Sequence, residues 1–269
     1  MARVAVVQMV SSANVKENLR SLDPFFLQAK EAGVELLILP ENFAFMGLKE
    51  SDKLNIAEKY GQGEIQSTVS DLAKQYGIWV VAGTIPLQYS AERVNAACIV
   101  YDAKGATVAR YDKIHLFDVR ISDQEAHKES NTIARGDKLV VVDTPVGRLG
   151  LSVCYDLRFS ELYQQLMAKG AELLSIPSAF TAATGVAHWE ILLRARAIEN
   201  LCYVLAPNQG GLHANGRSTY GHSMIIEPWG RVISEQKKGS GIIVADVDLA
   251  HLAQLRLQFP CNHHHVLTV

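Results

Sequence analysis

Short apolar runs alternate with amphipathic stretches at helical spacing along this chain. Val4 to Val10 is the first run, and after it Leu19, Leu22, Phe26 and Ala29 recur three and four residues apart, which predicts a strand and then one helix over 15–32. Gly33 opens a second buried strand, Val34 to Pro40, that ends on Glu41. A loop over 42–63 with a short helix around Ser51 to Tyr60, a helix from Glu64 to Tyr76 and a strand from Trp79 to Ile85 continue the alternation. Val94 to Tyr101 and Thr107 to Tyr111 read as a hairpin, because Gly105 supplies the positive φ its turn needs; the second arm delivers Lys113 at its end. Phe117 to Gly136 is polar and charged without a period, predicting a long surface excursion that borders a pocket.

The second half restarts with Leu139 to Asp143, a turn at Thr144 to Gly147, an apolar run from Leu149 to Val153 that ends at Cys154, and a helix from Phe159 to Lys169. Glu35 to Phe43 then lines up with Glu172 to Phe180, each behind a helix and a glycine, so Ser178 is the counterpart of Glu41. This predicts two similar β-α-β halves whose strand ends meet at one place. A helix over 187–200, strands at Cys202 to Ala206, His222 to Ile226, Val232 to Glu235 and Gly241 to Val247, and a helix from Leu249 to Gln258 complete an α/β chain with no linker, read as one domain over 1–269.

Composition narrows the partners. Charged residues are 20% and the formal net charge is −2, which gives no reason to expect nucleic acid or an anionic membrane surface. The first ten residues run into polar Ser11 to Asn14 without an export cleavage pattern, and no run approaches the ~18 apolar residues that cross a bilayer. The four cysteines, 98, 154, 202 and 261, form no Cys-x-x-Cys pair, which fits a reducing cytosol.

Cys154 has two readings. By composition alone it is a small buried hydrophobe; as the last residue of a buried strand it stands where α/β folds place chemistry. A thiol nucleophile needs a base and an oxyanion donor, and Glu41 and Lys113, each after its own apolar strand, could supply them. Each taken singly also reads as a solvated strand end or surface lysine, and Glu129 as a solvated loop residue. His115 ranks below Glu41 as a partner for Cys154, because a histidine beside a lysine serves equally well in packing. Asp156 and Arg158 are expected to fix the turn after Cys154, with Arg158 also a candidate for a substrate carboxylate. There is no Gly-x-Ser-x-Gly elbow, phosphate-binding glycine loop or His-Glu-x-x-His pattern. Consecutive His263 to His265 beside Cys261 cannot all face one ion from a regular element, so no metal site is expected.

Leu39-Pro-Glu-Asn-Phe43, Tyr111-Asp-Lys-Ile-His-Leu-Phe117 and Cys154-Tyr-Asp-Leu-Arg-Phe-Ser-Glu161, in that order, resemble the signature blocks of the nitrilase superfamily of carbon-nitrogen hydrolases. The resemblance extends through Ile176 to Phe180, Gly185 to Glu190, Arg194 to Asn200, Tyr220 to Met224 and Pro228 to Gly230. Cys-Tyr-Asp-Leu-Arg-Phe and the Ala-His-Trp-Glu helix resemble the Nit amidase branch, and Arg217 to Met224 is more similar to its deaminated-glutathione amidases than to its ω-amidases. The tail from Cys261 to His265 departs from the arginine-containing ending common in that family.

The resemblance implies a four-layer α-β-β-α sandwich that dimerises or assembles further through helices after the Cys strand. It implies Glu41 as general base, Lys113 as oxyanion donor, Cys154 as nucleophile and Glu129 as the assisting carboxylate, with no metal or organic cofactor. Tyr155, Phe180, Thr181 and Arg158 are the expected substrate-binding residues. The implied reaction is hydrolysis of a small-molecule amide through a Cys thioester, with deaminated glutathione giving 2-oxoglutarate and cysteinylglycine. The alternatives are an ω-amidase acting on 2-oxoglutaramate, a broader amide or carbamoyl hydrolase, and a catalytically silent binding protein on the same fold.

Overall fold

In a computed structural model, residues 1–121, 126–264 and 266 are described. The first half runs β1 (Ala2–Gln8), α1 (Val15–Arg20), α2 (Asp23–Glu31), β2 (Leu36–Ile38), α3 (Glu64–Tyr76), β3 (Trp79–Gln88), β4 (Val94–Tyr101), β5 (Thr107–Asp112), β6 (Asp118–Arg120) and β7 (Ala126–Lys128). The second runs β8 (Val141–Thr144), β9 (Gly147–Leu151), α4 (Ser160–Ala168), β10 (Leu173–Ser175), α5 (Ala182–Asn200), β11 (Tyr203–Ala206), β12 (Ser223–Ile226), β13 (Val232–Gln236), β14 (Gly241–Val247) and α6 (Leu249–Gln258).

Two six-stranded sheets form, ordered β14-β1-β2-β3-β4-β5 and β13-β12-β11-β10-β9-β8. Each has three parallel strands at its heart, β1-β2-β3 in one and β9-β10-β11 in the other, flanked by antiparallel neighbours. The repeat expected from Glu35 to Phe43 and Glu172 to Phe180 is therefore a repeat of topology, with β2 and β10 in corresponding places.

Alternation along β1 explains the layering. Val4 and Val6 join the core shared with Leu149, Leu151 and Leu173 of the other sheet, whereas Ala5 and Val7 pack with Leu19, Phe26 and Val69 of the helices outside. Period-two side chains that are apolar on both faces demand cover on both faces. Helices α1–α3 cover one sheet and α4 and α5 the other, giving the α-β-β-α sandwich. No described helix is long and apolar enough to cross a membrane.

Three expected elements differ. The single helix over 15–32 is two, because the chain turns at Ser21 and restarts with Pro24 in the first turn of α2, where proline lacks a donor that is unpaired anyway. The expected helix over 51–60 is only a 3-10 turn, Glu50–Leu54. The late helix begins at Ala182, five residues ahead of the expected Ala187, because Thr181 caps it by accepting from Thr184 N–H. The tail forms a 3-10 turn at Cys261–His263 and is tied down by Asn262, which donates to Asn200 O at 2.9 Å. His265 lies outside the described residues.

Candidate active site

Glu41, Lys113 and Cys154 follow β2, β5 and β9, and the facing of the two sheets brings these strand ends together in the interior. Two glycines allow the strands to lie this close. A Cβ on Gly83 would sit 2.1 Å from Pro40 O, just before Glu41, and one on Gly136 would sit 2.1 Å from Asp112 O, just before Lys113.

Lys113 is 1% exposed, and its Nζ donates to Glu41 Oε1 and to both carboxylate oxygens of Glu129, each at 2.9 Å. Burial opposes its charge, but Glu129 and Glu41 outweigh that and hold its pKa well above the ordinary lysine value. Glu41 is governed the same way: burial pushes its carboxyl up, and Lys113 more than offsets this, so it stays below the usual carboxylate range. Its Oε2 accepts Ala179 N–H at 2.9 Å. Glu129, expected on a surface excursion, is buried, because it also accepts Phe117 N–H at 2.7 Å and so folds its loop inward.

Cys154 opens a 3-10 turn, Cys154–Arg158, with φ +47, a left-handed conformation that is uncommon outside glycine and is found where a side chain is aimed for function. Its N–H donates to Pro177 O at 2.9 Å. Burial and the Glu41 carboxylate push the thiol up to about 12, against the pull of Lys113 and of Ala179 N–H. The resting state is thus a neutral thiol facing a carboxylate, which suits proton transfer during attack rather than a preformed thiolate.

Asp156 holds the turn. It is fully buried and accepts from Tyr111 Oη at 2.6 Å, Val153 N–H at 2.8 Å and His115 N–H at 3.0 Å, and it lies 2.7 Å from His115 Nδ1. His115 is spent on Asp156 and on a ring stack 3.7 Å from Phe159, as the packing reading expects.

These groups open into one cavity, whose empty space together with the solvent at its mouth is about 500 Å³. Tyr155, Phe180 and Thr181 line it. Arg158 lies outside that lining: its guanidinium stands over the Tyr155 and Phe180 rings, at 5.7 and 5.3 Å, and it meets His188 at 3.3 Å. Sequence reasoning passed over Glu50, Lys53, Lys128 and Arg217, which also line the cavity. They sit in a 3-10 turn, a three-residue strand or an irregular segment, all too short for a periodicity to mark a side chain as inward.

The match to a family model described as carbon-nitrogen hydrolase spans residues 3–257, and the chain belongs to that family. Two proteins described as deaminated glutathione amidase are similar along nearly the whole length. That of Yersinia enterocolitica is 41% identical over 98% of this chain and 92% of its own, and that of Homo sapiens is 40% identical over 97% and 81%. Among solved structures, the Caenorhabditis elegans NitFhit protein superposes with a TM-score of 0.92 at 39% identity, covering 99% of this chain and 66% of that longer one. Saccharomyces cerevisiae Nit3, a member of branch 10 of the nitrilase superfamily, gives 0.86 at 29% identity, covering 96% and 94%.

Proposed function

We propose that the protein is a thiol-dependent amidase whose substrate is deaminated glutathione, cleaved to 2-oxoglutarate and cysteinylglycine. The observation that carries the reading is the buried contact of Glu41 with Lys113 beside the Cys154 thiol, all three lining one cavity. The relatives described as deaminated glutathione amidases support the choice of substrate.

In this mechanism Glu41 takes the Sγ proton as Cys154 attacks the amide carbon. Lys113 and the Tyr155 N–H receive the negative oxygen of the tetrahedral intermediate. Collapse breaks the C–N bond, and Glu41 returns the proton to the departing dipeptide amine. Water, deprotonated by Glu41, then attacks the thioester and releases 2-oxoglutarate, while the proton restores the thiol. Glu129 orients Lys113 throughout. Lys113 is already within hydrogen-bond range of both Glu41 and Glu129.

Steady-state rates on deaminated glutathione and on 2-oxoglutaramate test the substrate. A higher kcat/KM on the first is expected, and equal or higher efficiency on the second assigns the protein to ω-amidase chemistry. The reading includes a homodimer or larger homo-oligomer formed through α5, whose Val186 and Ile191 are 75% and 70% exposed, and a reducing cytosolic setting in which the cysteines stay free.

A further inference from the structure

The charges on the cavity wall are not all accounted for by the reaction. Lys113 is taken by Glu41 and Glu129, and Lys53 by Glu50 at 3.1 Å. Two cations remain, Lys128, which is exposed, and Arg217, which is partly buried and within ion-pair distance of no described carboxylate.

Arg217 is held in an unfinished arrangement. One of its terminal nitrogens donates to Ala179 O at 2.6 Å, while its Nε–H is closed off from solvent and has no acceptor among the described residues. A buried donor of a charged group without an acceptor is costly, and folds keep such groups chiefly where something else completes the bonding. The loop presenting it is well fixed. Arg217 N–H donates to Asn215 Oδ1 at 2.9 Å, Asn215 donates to Gly47 O at 2.8 Å, and His213 sits between Ser11 O and Thr219 Oγ1. Arg217 also ends on the residue whose N–H steadies Glu41, since Ala179 N–H goes to Glu41 Oε2. The positive field at this wall is felt by Glu50, whose carboxyl is drawn down to about 2, chiefly by Lys53 against burial and with Arg217 and Lys113 adding to it.

We infer that Arg217 is a substrate-binding residue whose guanidinium, on the wall shared with Lys53, receives a carboxylate carried by the amide substrate. A guanidinium offers planar N–H donors that match a carboxylate, and Arg217 lines the cavity with no described carboxylate within ion-pair distance. Because the same side chain touches Ala179, seating the carboxylate also bears on the placement of Glu41. The inference rests on the amidase reading for the position of the scissile bond, and it adds that the substrate is an anion sorted by charge.

The test compares deaminated glutathione with two derivatives, one with the keto-acid carboxylate converted to a carboxamide and one with the glycine carboxylate so converted, on the wild type, Arg217→Lys and Arg217→Gln. The wild type is expected to lose about tenfold or more in kcat/KM on one derivative, mostly through KM, and that derivative identifies the end of the substrate that Arg217 holds. Arg217→Gln should level the two rates to within about twofold, and Arg217→Lys, which keeps charge but not the fork, should fall between. Full discrimination retained by Arg217→Gln on both derivatives overturns the inference. A wild type that turns over none of the three counts against the amidase reading. The carboxylate site is then read by calorimetry with glutarate and glutaramide on the Cys154→Ala protein. Where the keto-acid end is the one identified, glutarate bound about tenfold more tightly than glutaramide, with the preference lost in Cys154→Ala/Arg217→Gln, supports the inference and equal affinities before the second substitution overturn it; where the glycine end is identified, cysteinylglycine and its C-terminal amide take their places with the same two outcomes.

Discussion

The Tyr111 hydroxyl donates to Asp156 Oδ2 at 2.6 Å, and this bond ties the strand that delivers Lys113 to the turn that presents Cys154. Both partners are buried, so the bond also holds two halves of the site, built on different sheets, in register. Tyr111→Phe leaves one acceptor of the buried Asp156 short of a donor. The expected cost is about 1–3 kcal/mol in urea unfolding, with a fall in kcat larger than any rise in KM, because the reacting groups shift while the cavity wall stays.

Lys113 bridges two buried carboxylates, so its removal acts on stability and chemistry together. Lys113→Ala leaves Glu41 and Glu129 without the cation that bridges them, a change that typically costs about 3–5 kcal/mol. Glu41 is then expected to titrate above the usual carboxylate range. Turnover should fall by about a hundredfold or more, since an oxyanion donor and the anchor of the base are lost at once.

The acid and alkaline limbs of the pH profile carry opposite signs. Glu41 is held below its ordinary value, so its contribution to stability is complete above the unfolded carboxylate range and is lost only as pH falls through the lowered folded value. Cys154 and Cys202 are raised from 9.0 to about 12, so the stability from keeping these thiols neutral is complete below 9.0 and is lost as pH rises from there towards 12. Urea midpoints should therefore decline on the alkaline side beginning near 9.0. The rate kcat/KM should show no thiolate ionisation of the free enzyme around neutrality, and a rising limb there with the ordinary pKa of a free thiol would contradict the neutral resting state of Cys154.

Gly83 is expected to tolerate no side chain. Its Cβ would stand 2.1 Å from Pro40 O and 2.4 Å from Leu39 O, both backbone atoms of the segment leading into Glu41. Gly83→Ala should displace that segment, costing at least about 1–3 kcal/mol from overpacking and lowering kcat although the substituted residue touches no reacting group. Thermal unfolding and steady-state kinetics on the purified variant check both parts.

Much of this was legible in the sequence because buried strands announce themselves. Val4 to Val10, Val34 to Pro40 and Leu149 to Val153 are apolar on both faces, and only a covered sheet satisfies that. The residues after such runs fall together by topology, so Glu41, Lys113 and Cys154 could be grouped before any geometry was known. Glu129 looked solvated because its burial comes from Phe117 N–H and Lys113, polar bonds that leave no hydrophobic period. Arg217 and Lys53 stayed hidden for the same reason. Arg158 was expected at the substrate, yet its side chain is drawn over Tyr155 and Phe180, stacking that a linear pattern does not encode.

The measurement that tests the central claim most directly is intact-protein mass spectrometry of the enzyme quenched during turnover of deaminated glutathione, followed by peptide mapping. The account predicts an added mass equal to the acyl part of the substrate, confined to the peptide containing Cys154, absent from Cys154→Ala and accompanied by loss of turnover in that variant. Turnover at the wild-type rate by Cys154→Ala would contradict it.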